Sequence, residues 1–349
     1  MPEITDLPND DEDNESTAAV QAEQVGSGAM LRRAHRAFFD ATLKEIFLRE
    51  GVNLRDPIGA ESHDTMVYGG LYRGEEVAVK IFTLVVDDLA LAVSAYGAFK
   101  VECEKTIILS RASPKVLHVI EYGELDLPDD MPQELMQFFP IRLIPFMITE
   151  RAPYGSLDRV VRHMHQLPGF TRLKLMEALC EATEGLKVAH DHHIAHRDVK
   201  PQNVLIYGAT KGKIADFGIA KWRTRIGERM AAMLTPRYSS PEQAFYALTG
   251  QREELVGMKG DIYSWAVMVY ELVTGKHPFD WALKGVREHD RRRVAILKAV
   301  AANDRRGFQP TGDITFDAMI HACTSDYKQR LGDIGTARRI LAQLVNRQK

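Results

Sequence analysis

In the stretch IAHRDVKPQNVLI, Ile194 to Ile206, an Asp is followed five residues later by an Asn. On a loop leading into a strand, that spacing brings a carboxylate and an amide oxygen around one point in space. The carboxylate of Asp198 can orient a hydroxyl and take its proton, and the amide oxygen of Asn203 is a hard ligand suited to Mg2+. Thirteen residues beyond Asn203 comes Asp216 in ADFG, a second hard oxygen ligand followed by a glycine. Taken singly these motifs are weak, because isolated acids and buried lysines are more often members of structural ion pairs. Their order along the chain is what gives them weight.

Such residues need elements to hold them, and the patterning supplies these in two halves. LRRAHRAFFDATLKEIFLRE spaces Leu31, Ala34, Phe38, Leu43, Ile46 and Phe47 as an amphipathic helix. MVYGGLY, a turn at RGEE and the β-branched VAVKIF read as a strand pair, and AYGAFKVECEKTIILSRA reads as a helix. Strands follow around VLHVIEYGEL and LIPFMITE, separated by DLPDDMPQELMQFFP, which is longer than a hairpin requires. After APYGSL the pattern turns to long helices, interrupted by short strands near NVLIYG and GKIADFG. The expected organisation is an acidic disordered tail over 1–30, a helical extension over 31–54, a β-rich lobe over 55–151 and a helical lobe over 152–345. The fold class this implies is α+β.

A chain of 349 residues is long enough for two such lobes. With 45% hydrophobic and 27% charged residues it has the composition of a soluble globular protein. A net charge of −3 provides no basic field to recruit nucleic acid. Cys103, Cys180 and Cys323 form no CxxC pair, which fits reduced thiols in the cytoplasm rather than a disulfide framework or zinc site. No apolar run approaches the roughly 18 residues of a membrane helix. HDHHIAH, His190 to His196, has the residue types of a metal site but suits a packed helix end. Arg291 to Arg293 in HDRRRVAILK suit a solvated helix face better than an acidic or nucleic-acid partner.

Together, from about residue 55 to 345, the motifs resemble the eukaryotic-type protein kinases. The resemblance implies a bilobal fold, with ATP and Mg2+ bound and a protein hydroxyl as phosphoryl acceptor. By that resemblance Asp198 is the catalytic base, Asn203 and Asp216 hold Mg2+, and Lys80 in VAVK contacts the α and β phosphates. The helix glutamate that partners Lys80 is taken as Glu104 rather than Glu102, from the offsets of Ile107, Ile108 and Pro114. SSPE places Glu242 to pair with Arg330, and Asp261 falls where the family anchors the catalytic loop. At the adenine, Val67 and Ala78 sandwich the ring, Thr149 is the gatekeeper, and the backbones of Glu150 and Ala152 meet its edge. Lys200, with Thr235 in LTPRYSSPE, points to serine/threonine rather than tyrosine substrates. Because Arg197 precedes Asp198, a phosphate on the activation segment is expected, and Thr224 is the hydroxyl available for autophosphorylation. The lack of acids at Ser156 and Gln202 disfavours an Arg-directed consensus.

The departure from the family lies in IGAESHDTMVYGG, where a glycine-rich phosphate loop belongs. Ile58 and Gly59 begin it, but at most one of three family glycines survives, and Glu61 and Asp64 add negative charge. Residues other than glycine pay about 1–2 kcal/mol for a left-handed conformation, so the loop should weaken ATP binding more than it abolishes transfer. The alternatives are a pseudokinase acting as a nucleotide-sensing scaffold and a small-molecule phosphotransferase. The intact set Lys80, Asp198, Asn203 and Asp216 argues against the first.

Overall fold

The computed structural model describes residues 36–58, 65–83, 89–127, 129, 142–217, 235–251 and 257–349. Helix α1 (Arg36–Arg49) ends at Gly51, whose φ of +78° is the left-handed turn that favours glycine after a helix. Leu43, Ile46 and Phe47 recur at helical spacing and are buried. They face strand β1 (Val52–Pro57), while the Phe47 ring meets Phe146 edge-on at 5.3 Å. Strands β2 (Thr65–Tyr72) and β3 (Glu75–Phe82) form a hairpin over Arg73 and Gly74. Both turn residues have positive φ, which matches the right-handed twist of a two-residue hairpin. Helix α2 (Leu89–Ala112), β4 (Val119–Asp126) and β5 (Leu143–Glu150) follow, and the sheet order is β1-β2-β3-β5-β4.

The chain divides into two compact units, one up to Tyr96 with Gly123–Phe146, the other Gly97–Tyr122 with Met147–Lys349. The second is mostly helical: α3 (Leu157–His163), α4 (Arg172–Asp191), the hairpin β6 (Val204–Gly208) and β7 (Lys211–Ile214), then α5 (Pro241–Thr249), α6 (Met258–Thr274), α7 (His289–Ala301), α8 (Ile314–Thr324) and α9 (Ile334–Arg347). Helix α6 is its axle. From Gly260 to Tyr270 every residue is buried, and Trp265 donates its indole N–H to Thr183 on α4 at 2.8 Å. A helix apolar all round belongs in the centre of a core. Amphipathic α9 closes the far side, burying Ile334, Ala337, Leu341, Leu344 and Val345. A Cβ at Gly212 would lie 2.3 Å from the Ala178 carbonyl, so only glycine lets β7 press this closely on α4.

A bilobal α+β architecture is thus present, with two differences of detail. Strand β1 is an additional edge strand, and the segment 97–122 groups with the helical unit instead of the β-rich one. The reason is local: Leu117 N–H donates to Ile214 O and Ile214 N–H to Lys115 O, both at 2.9 Å, which ties the end of α2 to β7.

Candidate active site

The loop after α4 is held from below by Asp261 in the first turn of α6, a residue 1% exposed. Its Oδ1 accepts the Arg197 N–H at 2.7 Å. Its Oδ2 accepts the His196 N–H at 2.7 Å and lies 2.8 Å from His190 Nε2. His196 is fully buried against Phe217, with Nε2 2.9 Å from the Ala215 carbonyl and the Asp198 N–H 3.3 Å from Nδ1. Those partners fix a neutral ring with the proton on Nε2, and burial lowers its pKa in the same sense. His190 is therefore spent on Asp261.

On this support the residues expected to do chemistry converge. Asn203 donates its amide to the Asp198 carbonyl at 2.8 Å and to Asp198 Oδ2 at 3.2 Å. Lys200 Nζ lies 2.8 Å from Asp198 Oδ2 and donates to Thr235 Oγ1 at 3.0 Å. Ala215 N–H donates to the Asn203 carbonyl at 2.9 Å, which sets Asp216 beside the same loop. Asp216 and Arg197 have φ of +63° and +66°, left-handed values that cost a non-glycine residue about 1–2 kcal/mol. Such strain concentrates at functional sites. With its NH2 pinned, Asn203 presents its amide oxygen as its remaining polar atom, and a carboxylate stands nearby at Asp216. That pair of hard oxygens fits a Mg2+ ion.

In the β-rich unit, the β2–β3 register pairs Val67 with Lys80 and Gly69 with Ala78. Strand alternation therefore places Val67, Ala78 and Lys80 on one sheet face. Tyr68, on the opposite face, is fully buried and donates to Asp40 of α1 at 2.5 Å. Ile58 N–H donates to the Val67 carbonyl at 2.7 Å; Gly59 and the rest of the glycine-poor loop lie outside the described residues, as does Thr224. Thr149 is 4% exposed near the end of β5, and the Ala152 carbonyl accepts the Gly155 N–H in the turn that follows.

Glu104 and Glu102 differ in exposure. Glu104 is exposed, whereas Glu102 is 6% exposed. Two helical residues are rotated by about 200° from one another, so the choice between them is a choice of face, and the inward face belongs to Glu102.

Other residues near the site escaped sequence reading. Glu150 takes part through its side chain as well as its backbone: Oε1 accepts the His118 N–H at 2.7 Å, and both oxygens meet Lys213 Nζ at 2.6 and 2.8 Å. Gln243 completes a capping box with Ser240 and donates to the Arg197 carbonyl at 2.8 Å. The signal for it was the Ser-x-x-Gln spacing at the start of α5. Glu242 and Arg330 form the expected pair, bidentate at 2.7 and 3.1 Å, with the Arg330 side chain fully buried.

Comparison with known proteins identifies the family. The model of the protein kinase domain matches residues 131–344, more than half of the chain. The serine/threonine-protein kinase PknB of Mycolicibacterium smegmatis is 29% identical over 266 residues, which cover 70% of this chain and 38% of that protein. PknB of Mycobacterium tuberculosis is 27% identical with the same coverage. The probable serine/threonine-protein kinase PknB of Corynebacterium glutamicum is 32% identical over 211 residues, or 59% of this chain and 28% of that one. The chain thus spans well under half the length of these curated relatives. The domain match contains Asp198, Asn203, Asp216, Glu242, Asp261 and Arg330 in one continuous stretch, and the chain belongs to the protein kinase family.

Proposed function

We propose that this chain transfers the γ-phosphoryl group of ATP to a serine or threonine hydroxyl of a protein. The observation that carries the reading is Lys200, whose ammonium bridges Asp198 Oδ2 and Thr235 Oγ1. Asp198 takes the proton of the acceptor hydroxyl as its oxygen bonds to phosphorus and the bond to the ADP oxygen breaks. Lys200 stands beside Asp198 and offers a cation to the equatorial oxygens during transfer. Asn203 and Asp216 would hold Mg2+, which supplies charge neutralisation at the phosphates. Lys80 contacts the α and β phosphates, with Glu102 in the role first given to Glu104. By the family resemblance, Ile58, Gly59, Val67, Ala78, Thr149, Glu150 and Ala152 are the residues proposed to take the nucleotide, and Thr224 is the proposed self-phosphorylation site. Among the described residues no helix is long and apolar enough to cross a membrane.

The test is incorporation of label from γ-labelled ATP with Mg2+, comparing the protein with Asp198→Asn on generic protein substrates, on itself and on small hydroxylated compounds. Label on protein that falls at least a hundredfold in the variant is the expected result. Binding of ATP without incorporation would favour the nucleotide-sensing scaffold, and label on small compounds alone would favour the other phosphotransferase reading.

A further inference from the structure

Lys200 links Thr235 to Asp198, so the segment from Thr235 to Ser240 starts two hydrogen bonds away from the proposed base. A hydroxyl presented to Asp198 would therefore lie close to the start of this segment. Two residues on, Arg237 reaches across to two carboxylates from separate elements. Nη1 lies 2.8 Å from Asp280 Oδ1, and Nη2 lies 3.6 Å from Glu271 Oε1 on α6. The second oxygen of Glu271 accepts the Tyr238 hydroxyl at 2.5 Å. Burial pushes the Tyr238 phenol up, and Glu271 and Asp158 push it further, so Asp158 lies within electrostatic reach of the same ring. Asp158 is itself paired with Arg162 one turn along α3. Three carboxylates therefore gather beside the Thr235 segment, and each carries an arginine of this chain. The groups are open to a ligand: the side chains of Arg237, Glu271 and Asp280 are 32%, 29% and 54% exposed.

We propose that Arg237 is a specificity-determining residue that fills, as a built-in guanidinium, the acidic subsite a basic side chain of the substrate would otherwise occupy. The inference rests on the protein kinase reading. The chemistry is substitution of like for like: Glu271 and Asp280 offer the oxygen pair that a planar, five-donor cation satisfies, and Arg237 is already there. A peptide arginine or lysine would have to displace a tethered competitor, so the protein gains nothing from a basic residue at that position. Neutral hydroxyl-containing peptides are the substrate class that remains. Among the described residues, removing Arg237 leaves Glu271 with the Tyr238 hydroxyl and Asp280 with no cation, which is an acidic subsite ready for one.

The experiment scans peptides in which each position around a central Ser or Thr is varied in turn, with the full chain, ATP and Mg2+. Wild type, Arg237→Ala, Arg237→Gln and Arg237→Lys are compared, each checked for an unchanged melting temperature. Arg237→Ala is expected to gain a selection for Arg or Lys over Ala at one peptide position, about three- to fivefold in rate, the scale of an exposed ion pair. The gain should shrink in high salt, vanish when Glu271→Gln and Asp280→Asn are added, and be absent from Arg237→Lys, which keeps the charge. Arg237→Gln serves where Arg237→Ala is poorly folded, because it removes the charge and retains the polar stem. Identical positional profiles for active wild type and active Arg237 variants would overturn the inference and leave the kinase reading standing. No incorporation by wild type into any peptide or protein would overturn both.

Discussion

Asp261 touches no reacting group, yet its two oxygens hold the backbone that carries Asp198. Replacing it with Asn swaps one acceptor oxygen for an NH2, so at least one of the Arg197 N–H, the His196 N–H and His190 loses its partner in a dry site. A buried donor left unmet costs about 1–3 kcal/mol. Asp261→Asn is therefore expected to lose that much stability in urea unfolding and to lower kcat more than tenfold, with KM for ATP nearly unchanged. Lost stability with unchanged kcat would mean that the remaining contacts, from Gln243 to the Arg197 carbonyl and from His196 to the Ala215 carbonyl, hold the loop on their own. Residues of this kind were legible because they sit inside fixed motifs: the acid, the lysine and the amide of DVKPQN lie within five positions and must be neighbours in space. The choice between Glu104 and Glu102 shows the limit. Offsets along a helix count residues, and a miscount of two moves a side chain to the opposite face.

Three stretches meet at Glu150: the end of β5, the segment 115–118 and strand β7. Glu150 N–H donates to the His118 carbonyl at 3.1 Å while its carboxylate binds the His118 N–H and Lys213, three residues before Asp216. The same lysine lies 4.7 Å from the centre of the Tyr207 ring, which adds a cation–π contact. Cutting this tie frees the backbone proposed to meet adenine from the strand that leads to the Mg2+ ligand. Lys213→Met is expected to raise KM for ATP about three- to tenfold, in line with loss of a charge-assisted hydrogen bond of about 1 kcal/mol, with kcat within twofold. A fall in kcat alone would place Lys213 with the reacting groups instead. Lys213→Arg should recover most of the affinity. Elements with a clear pattern, such as the β2–β3 hairpin, could be read directly from the sequence. Strand β1 could not: VNLRDP alternates for three residues and then turns charged, and its strand form comes from pairing with β2 and from the cover of α1. The Glu150–Lys213 pair was equally hidden, since 63 residues separate the partners.

The whole molecule carries a pH dependence set by two buried histidines of the helical unit. His196 is neutral by its hydrogen bonds and its burial. His277 is 4% exposed, accepts the Phe279 N–H on Nδ1, and has its pKa pushed down to about 3 by burial and then by Arg237. A histidine whose folded pKa lies below the unfolded value near 6.5 is protonated first in the unfolded chain. Stability is then fully present above pH 7 and drains away as pH falls through 6.5 toward the folded value. By pH 5 His277 has removed about 2 kcal/mol, and His196 acts in the same direction. Asp304 and Asp333, whose pKa values are lowered, lose their contribution below the ordinary carboxylate range and leave this window alone. Urea midpoints measured from pH 7.5 to 5 should therefore fall, and His277→Gln should make the slope shallower. The acid limb of turnover should follow, because a proton on His196 Nδ1 would face the Asp198 N–H and push away the backbone of the base. A flat midpoint over that range would mean that both rings accept a proton within the fold, and the hydrogen-bond assignment around His196 would have to be reversed.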